Sequence, residues 1–252
     1  MLSLKQLKQM ILSGKRIIWT MHDEWPFRGI RHYTEESNAS ENPKIASMEQ
    51  KLFEEKQAIY SLGHIKFVGC SQWITDLAHE AMPQADVQHI NNCIPHNIFR
   101  PQNIQEAREI FSLPRNQKLI LFTCQKVTDK RKGMTYLLEA LKHLSSPKPH
   151  LVVVGGNTED LLNSDLGMEA NNIHFIPYVN GEKEMARLYS AVDCFVTPSL
   201  QDNLPNTIAE AMSCGTPCVG FNTGGIPEMI SHMMDGYVAR YCDSEDLAHG
   251  IE

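Results

Sequence analysis

The sequence predicts an α/β protein, and three observations carry that prediction. Short β-prone apolar runs alternate with segments of helical apolar spacing along nearly the whole chain. One stretch, Phe195 to Phe221, reads as a complete strand, loop, helix and strand. The 252 residues, 42% hydrophobic and 21% charged, suffice to bury a large core in one or two domains.

Taken in order, Leu2, Leu4, Leu7, Ile11 and Leu12 recur among polar residues and predict an amphipathic helix ended by Gly14. Arg16 to Met21 is the first β-prone run. The chain then turns through His22-Asp23-Glu24-Trp25-Pro26-Phe27-Arg28-Gly29, a loop rich in chemical groups at a strand end, where α/β proteins place function. By residue type alone, its His-Asp pair reads first as a capping or structural hydrogen bond. A polar break from Asn38 to Pro43 precedes one long helix, Ile45 to Leu62, whose Glu and Lys residues predict a solvated face. Ile65 to Cys70 is the next strand, Ser71 caps a helix running to about Met82, and a short strand follows near Val87 to Asn91.

Beyond a junction near residues 93 to 103, a helix is predicted over Ile104 to Leu113 and a strand over Lys118 to Cys124. Between that strand and a helix carrying Met134, Leu137, Leu138 and Leu141 lie four basic residues, Lys126, Lys130, Arg131 and Lys132. In a chain of net charge −7, a basic knot at a strand mouth asks for an anion, although an exposed loop charged for solubility has the same composition. Leu151 to Val154 is a strand, Gly155-Gly156 a tight turn, and Thr158 to Leu166 a helix. Ile173 to Tyr178 is a further strand. The helix Glu182 to Val192 places Met185, Leu188 and Tyr189 on one face, with Tyr189 in the core.

The stretch Phe195 to Glu228, FVTPSLQDNLPNTIAEAMSCGTPCVGFNTGGIPE, is the most informative. Pro198 and Ser199 stop a strand, Pro205 suits a first helical turn, and Ile208, Ala211 and Met212 keep helical spacing until Gly215 and Pro217. A helix opening at a strand mouth offers its amides and its positive end to a phosphate. Asp202 just before the helix and Glu210 within it can bracket such a ligand and accept from its hydroxyls. Spacing alone leaves open that Asp202 only caps the helix and that Glu210 is solvated. After Gly224-Gly225 a short helix and a last strand, Asp235 to Arg240, lead into Asp243 to Glu252, the beginning of another helix.

These residues resemble the donor-binding signature of retaining glycosyltransferases of the GT-B architecture, specifically family 4 (group 1). Asp202 and Glu210 stand where that family has two glutamates separated by seven residues, followed here by E-A-M-S-C-G-T-P and G-G-I-P-E. Three departures accompany the match: Asp202 is one methylene shorter than Glu, the usual Gly-Phe-Gly is Asn203-Leu204-Pro205, and Lys126 stands about where the family has the arginine of its G-R-x(n)-K-G motif. WTMHDEWPFRGIRHY, FVGCSQWITDLA and NNCIPHNIFRP are similar to acceptor-domain and inter-domain segments of the same family. The resemblance implies two Rossmann-like domains, 1–95 (acceptor side, incomplete) and 96–252 (donor-binding), with family segments absent at both ends.

The resemblance also implies roles. Lys126 and Lys132 hold the diphosphate with the help of Asn203, Leu204, Asn206 and Thr207 at the helix start. Asp202 orients sugar hydroxyls, Glu210 holds the ribose diol, Tyr178 and Val179 border the nucleobase, and His22 acts beside the donor sugar. The expected activity is transfer, with retention, of a hexosyl-type group from a nucleoside diphosphate sugar to a hydroxyl of a glycan or lipid-linked saccharide. No cofactor or metal is expected, because no D-x-D follows a strand. The alternative from another class is a non-catalytic sugar-nucleotide binding module.

Composition narrows the rest. The acidic balance argues against general nucleic-acid binding, and the lack of a G-x-G-x-x-G after an early strand argues against a dinucleotide oxidoreductase. No signal peptide or long apolar run is evident, and the seven cysteines lack a C-x-x-C pair. They read as small buried residues in a reducing compartment, so a cytoplasmic location is expected, with peripheral contact at the inner face of the cytoplasmic membrane left open.

Overall fold

The alternation read from the sequence resolves into two compact units, Met1–Asn92 and Cys93–Glu252, in a computed structural model that describes residues 3–33, 42–156 and 172–252. The first unit contains α1 (Leu4–Leu12), β1 (Ile17–Met21), α2 (Pro43–Tyr60), β2 (Ile65–Gly69), α3 (Gln72–Ala81) and β3 (Asp86–His89). Ser3 opens α1 with a capping box: its hydroxyl accepts from the Gln6 amide while the Gln6 side chain accepts from the Ser3 amide. The strands are parallel in the order β1-β2-β3, with Trp19 opposite Phe67 and Phe67 opposite Val87. Because side chains alternate along a strand, these residues share one face, and Leu7, Ile11, Ile74 and Ala78 of the helices join their core.

The helix α2 departs from the expected solvated face. Lys56 is only 1% exposed, and its ammonium donates to the carbonyls of Trp25, Arg28 and Gly29 at 2.6, 2.7 and 2.9 Å. Glu49 accepts from the amides of Gly29 and Ile30 at 2.8 and 2.7 Å, and the Tyr60 hydroxyl donates to the Pro26 carbonyl at 2.8 Å. Side chains of α2 thus satisfy backbone groups of the loop after β1 that no strand pairing among the described residues takes up. Within that loop Asp23 accepts from the Trp25 amide at 3.0 Å and lies 2.6 Å from His32 Nδ1; its partner is His32, nine residues on.

The second unit contains α4 (Ile104–Ile110), β4 (Leu119–Lys126), α5 (Met134–His143), β5 (His150–Gly156), β6 (Ile173–Ile176), α6 (Glu182–Ala191), β7 (Cys194–Thr197), α7 (Asn206–Ser213), β8 (Cys218–Phe221), α8 (Ile226–Met229), β9 (Gly236–Ala239) and α9 (Ser244–Ile251). The helix expected to reach Leu113 ends at Ile110, because the chain turns through a positive φ of 53° at Ser112. The helix expected over Thr158 to Leu166 lies outside the described residues. The sheet is parallel and buried on both faces: Leu119 and Leu121 enter one core with α4, α6 and α7, while Ile120 and Phe122 enter the other with α5 and α9. Its order, β6-β5-β4-β7-β8-β9, is doubly wound. Successive strands step outward in opposite directions from β4 and β7, so the loops leaving these two strands part at the centre of the sheet and leave a crevice there.

All seven cysteines are free thiols, but only Cys70, Cys214 and Cys218 are buried; Cys93 is exposed and the others half-buried. Expecting all of them inside overlooked that Cys93 lies in the irregular segment after β3. No helix among the described residues is long and apolar enough to cross a membrane.

Neighbouring strands also stack two imidazoles, with His150 Nδ1 2.9 Å from His174 Nε2. Burial, and then the charge of His150, hold the His174 pKa below the ordinary imidazole value. The unfolded chain therefore takes up the proton first, and stability contributed above that value is lost as pH falls. Thermal unfolding followed from about pH 7 to pH 5 is expected to show a falling midpoint, and His174→Gln a flatter one.

Candidate functional site

The crevice is built from two loops pressed together. After β4 the chain makes a 3-10 turn, Lys130–Lys132, begun by the Asp129 carboxylate accepting from the Arg131 amide at 3.0 Å and ended by Gly133 at φ 71°. A Cβ on Gly133 would stand 1.8 Å from the Pro198 carbonyl oxygen of the loop after β7, so only glycine permits the approach. The Leu200 amide donates to the Arg131 carbonyl at 2.8 Å, and Arg131 Nη1 donates to the Gln201 carbonyl at 2.9 Å. Gly133→Ala is expected to destabilise the protein by about 2–4 kcal/mol, measured by chemical denaturation, since the new methyl meets backbone rather than a movable side chain.

This contact brings opposite charges together. Lys132 Nζ lies 2.6 Å from Asp202 Oδ2, and Arg131 Nη1 lies 3.7 Å from the same oxygen. Ser199 Oγ donates to it at 3.5 Å. Among the described residues, all these side-chain contacts fall on Oδ2. From the other side the glycine turn supports the acid: the Gly225 amide donates to the Asp202 carbonyl at 3.2 Å, and Gly224, at φ 56°, has no room for a Cβ against that oxygen.

Four residues after Asp202, α7 begins. Its N-cap is Pro205, which makes no side-chain cap, so Asp202 does not cap the helix. Glu210, further along α7, is half-buried and accepts from the Tyr189 hydroxyl at 3.0 Å. Burial raises its pKa; the Tyr189 hydrogen bond opposes that shift and the charge of Glu182 adds to it.

The expected residues are thus only partly gathered. Lys132 and Asp202 meet, and Asn203, Leu204, Asn206, Thr207 and Glu210 follow on the same loop and helix, Asn203 being buried and Asn206 exposed. Lys126, by contrast, is exposed at the last position of β4, and it is Arg131 that joins Lys132 beside the acid. Matching by position in the motif did not single out Arg131, which the 3-10 turn Lys130–Lys132 holds against the loop after β7. The available signal was chemical: Arg131 is the one guanidinium in the basic run, and its fork can bond backbone and carboxylate at once. After β6, Tyr178 is 79% exposed, whereas the Val179 side chain is buried in the core. His22, just after β1, belongs to the first unit and is exposed.

Two large grooves lie elsewhere. One of about 740 Å³ is bordered by the strand starts Ile17, Ile65 and Asp86; the other, of about 910 Å³, is bordered by Lys118, Cys194 and Gly236 at the opposite end of the second sheet from Lys132 and Asp202. Among the described residues, no group of three or more His, Cys, Asp or Glu could hold a metal ion.

Residues 117–252, more than half of the chain, match the family model described as Glycosyl transferases group 1. The chain belongs to this family. This group 1 member is 22% identical over 246 residues to N-acetyl-alpha-D-glucosaminyl L-malate synthase of Bacillus anthracis, covering 96% of the chain and 58% of that protein. It is 26% identical over 219 residues to D-inositol 3-phosphate glycosyltransferase of Mycolicibacterium smegmatis, covering 83% of the chain and 47% of that protein. The chain therefore spans about half the length of these curated relatives.

Among solved structures, Anabaena HepE in complex with UDP superposes with a TM-score of 0.76 at 18% identity, over 98% of this chain and 65% of that one. Sucrose-phosphate synthase of Thermosynechococcus elongatus gives 0.74 at 21% identity, over 93% of this chain and 57% of that one. The group 1 member shares the α/β fold with parallel sheets of GT-B glycosyltransferases.

Proposed function

We propose that this chain serves a retaining glycosyltransferase that moves a sugar from a nucleoside diphosphate sugar to a hydroxyl of a glycan or lipid-linked saccharide. The observation that carries the reading is the meeting of Arg131 and Lys132 with the loop carrying Asp202, which leads into α7, at the point where the sheet reverses its winding. Departure of the diphosphate develops negative charge, and fixed cations aimed at it lower the barrier. Lys132 and Arg131, with Lys126 on the rim, supply those cations, and the first turn of α7 supplies amides. A phosphate entering the crevice draws Lys132 from Asp202, whose Oδ1 accepts from the sugar. Glu210 takes the ribose diol through Oε1, and Tyr178 with the backbone at Val179 borders the base.

In the transfer itself the anomeric carbon–oxygen bond to the diphosphate breaks, the acceptor oxygen bonds to that carbon on the same face, and its proton passes to the leaving phosphate. His22 is proposed to stabilise the sugar as positive charge develops on it. Contact with the inner face of the cytoplasmic membrane is proposed only for a lipid-linked acceptor.

UDP, which one of the structural neighbours binds, is the first probe. Calorimetric titration of the chain with UDP, and with GDP and ADP beside it, is expected to show one site; no binding by any of the three ends the reading. Donor hydrolysis or transfer is expected to persist in excess EDTA, because the proposed charge stabilisation rests on side-chain cations; loss of turnover restored by added Mg²⁺ or Mn²⁺ would refute that part.

A further inference from the structure

We propose that Tyr189 is a positioning residue for nucleotide recognition: its hydroxyl holds one oxygen of Glu210 so that the other is presented to the ribose. The inference deepens the reading above and rests on it. Tyr189 is fully buried on α6, with its ring edge-on to Phe195 at a centroid distance of 5.6 Å and tilted against Phe99 at 6.4 Å. Its backbone carbonyl accepts from Thr216 Oγ1 at 2.7 Å, which ties α6 to the turn beyond α7. The ring therefore has one place to be, and its hydroxyl emerges from the core at Glu210 Oε2, 3.0 Å away.

A phenylalanine would fill the same space, so packing does not account for the hydroxyl. What it supplies is a fixed donor to a half-buried carboxylate whose side chain has three torsions to immobilise. Among the described residues, Oε1 of Glu210 has no hydrogen-bond partner within the protein. A carboxylate gripped by one oxygen and open at the other is already set for a diol, and ligand binding need not bear the cost of ordering it. The same hydrogen bond favours the ionised form against burial and the nearby Glu182 charge, which both disfavour it.

The test is a double-mutant cycle on the full chain, read by calorimetry with two probes: UDP, which carries a ribose, and inorganic pyrophosphate, which does not. Tyr189→Phe is expected to weaken UDP about tenfold and to change pyrophosphate less than about twofold. In a Glu210→Ala background the same substitution is expected to have almost no further effect on UDP. A full tenfold loss in that background, or an equal loss for pyrophosphate, assigns Tyr189 to general packing and overturns the inference. So does unchanged UDP affinity in Tyr189→Phe when the parent binds. Failure of the parent to bind UDP, GDP or ADP removes the functional reading and this inference together.

Discussion

Lys132→Ala is expected to weaken UDP by about 30- to 150-fold, corresponding to roughly 2–3 kcal/mol, and to abolish measurable transfer. Two effects add. The variant loses the cation that would face the diphosphate, and it leaves Asp202 with its closest counter-ion gone, since Lys132 sits 2.6 Å from Oδ2 while Arg131 stands at 3.7 Å, so more of its negative charge faces the place where a phosphate would enter. The second effect can be separated. Lys132→Ala combined with Asp202→Ala should recover part of the lost phosphate affinity, because the repulsive partner is gone, while sugar-dependent turnover stays absent. Isothermal titration with UDP and with pyrophosphate measures both. If Lys132→Ala binds UDP like the parent, the crevice between the β4 and β7 loops is not the phosphate site.

Lys56→Met is expected to destabilise the first unit by about 3–5 kcal/mol, because three carbonyls lose their donor at once. Burial pulls the Lys56 pKa down to about 8, so at neutral pH the ammonium still carries three N–H donors, one for each of the carbonyls of Trp25, Arg28 and Gly29. It also sits 3.5 Å from the centroid of the Trp25 ring. Methionine fills a similar volume and returns none of these bonds, leaving three carbonyls to find water or break the turn. Hydrogen exchange is the decisive measurement: amides of residues 25–31 should lose protection before those of β1 and β2, whereas uniform loss would mean that Lys56 supports the unit as a whole and not this loop. The consequence reaches His22, which lies at the entrance to the strapped segment.

The sequence was most informative where its signals are local. Capping residues, helical spacing and glycine-proline punctuation act within a few residues, and they are enough to read the strand-helix alternation and the start of α7 after Pro205. They also mark the two loops with chemistry, one basic after β4 and one carrying Asp202 after β7, because unusual charge at a strand end is visible without knowing the partner.

The partners themselves were decided by tertiary structure. Lys132 meets Asp202 across 70 residues of chain only because β4 and β7 lie side by side at the centre of a doubly wound sheet. Arg131 reaches the acid because a 3-10 turn rotates it there, Asp23 finds His32, and Lys56 turns from an apparently solvated helix position into the clamp of a loop. Periodicity gives the direction of a side chain relative to its own helix or strand; which neighbour stands in that direction depends on strand order and packing, which connect residues far apart in the chain.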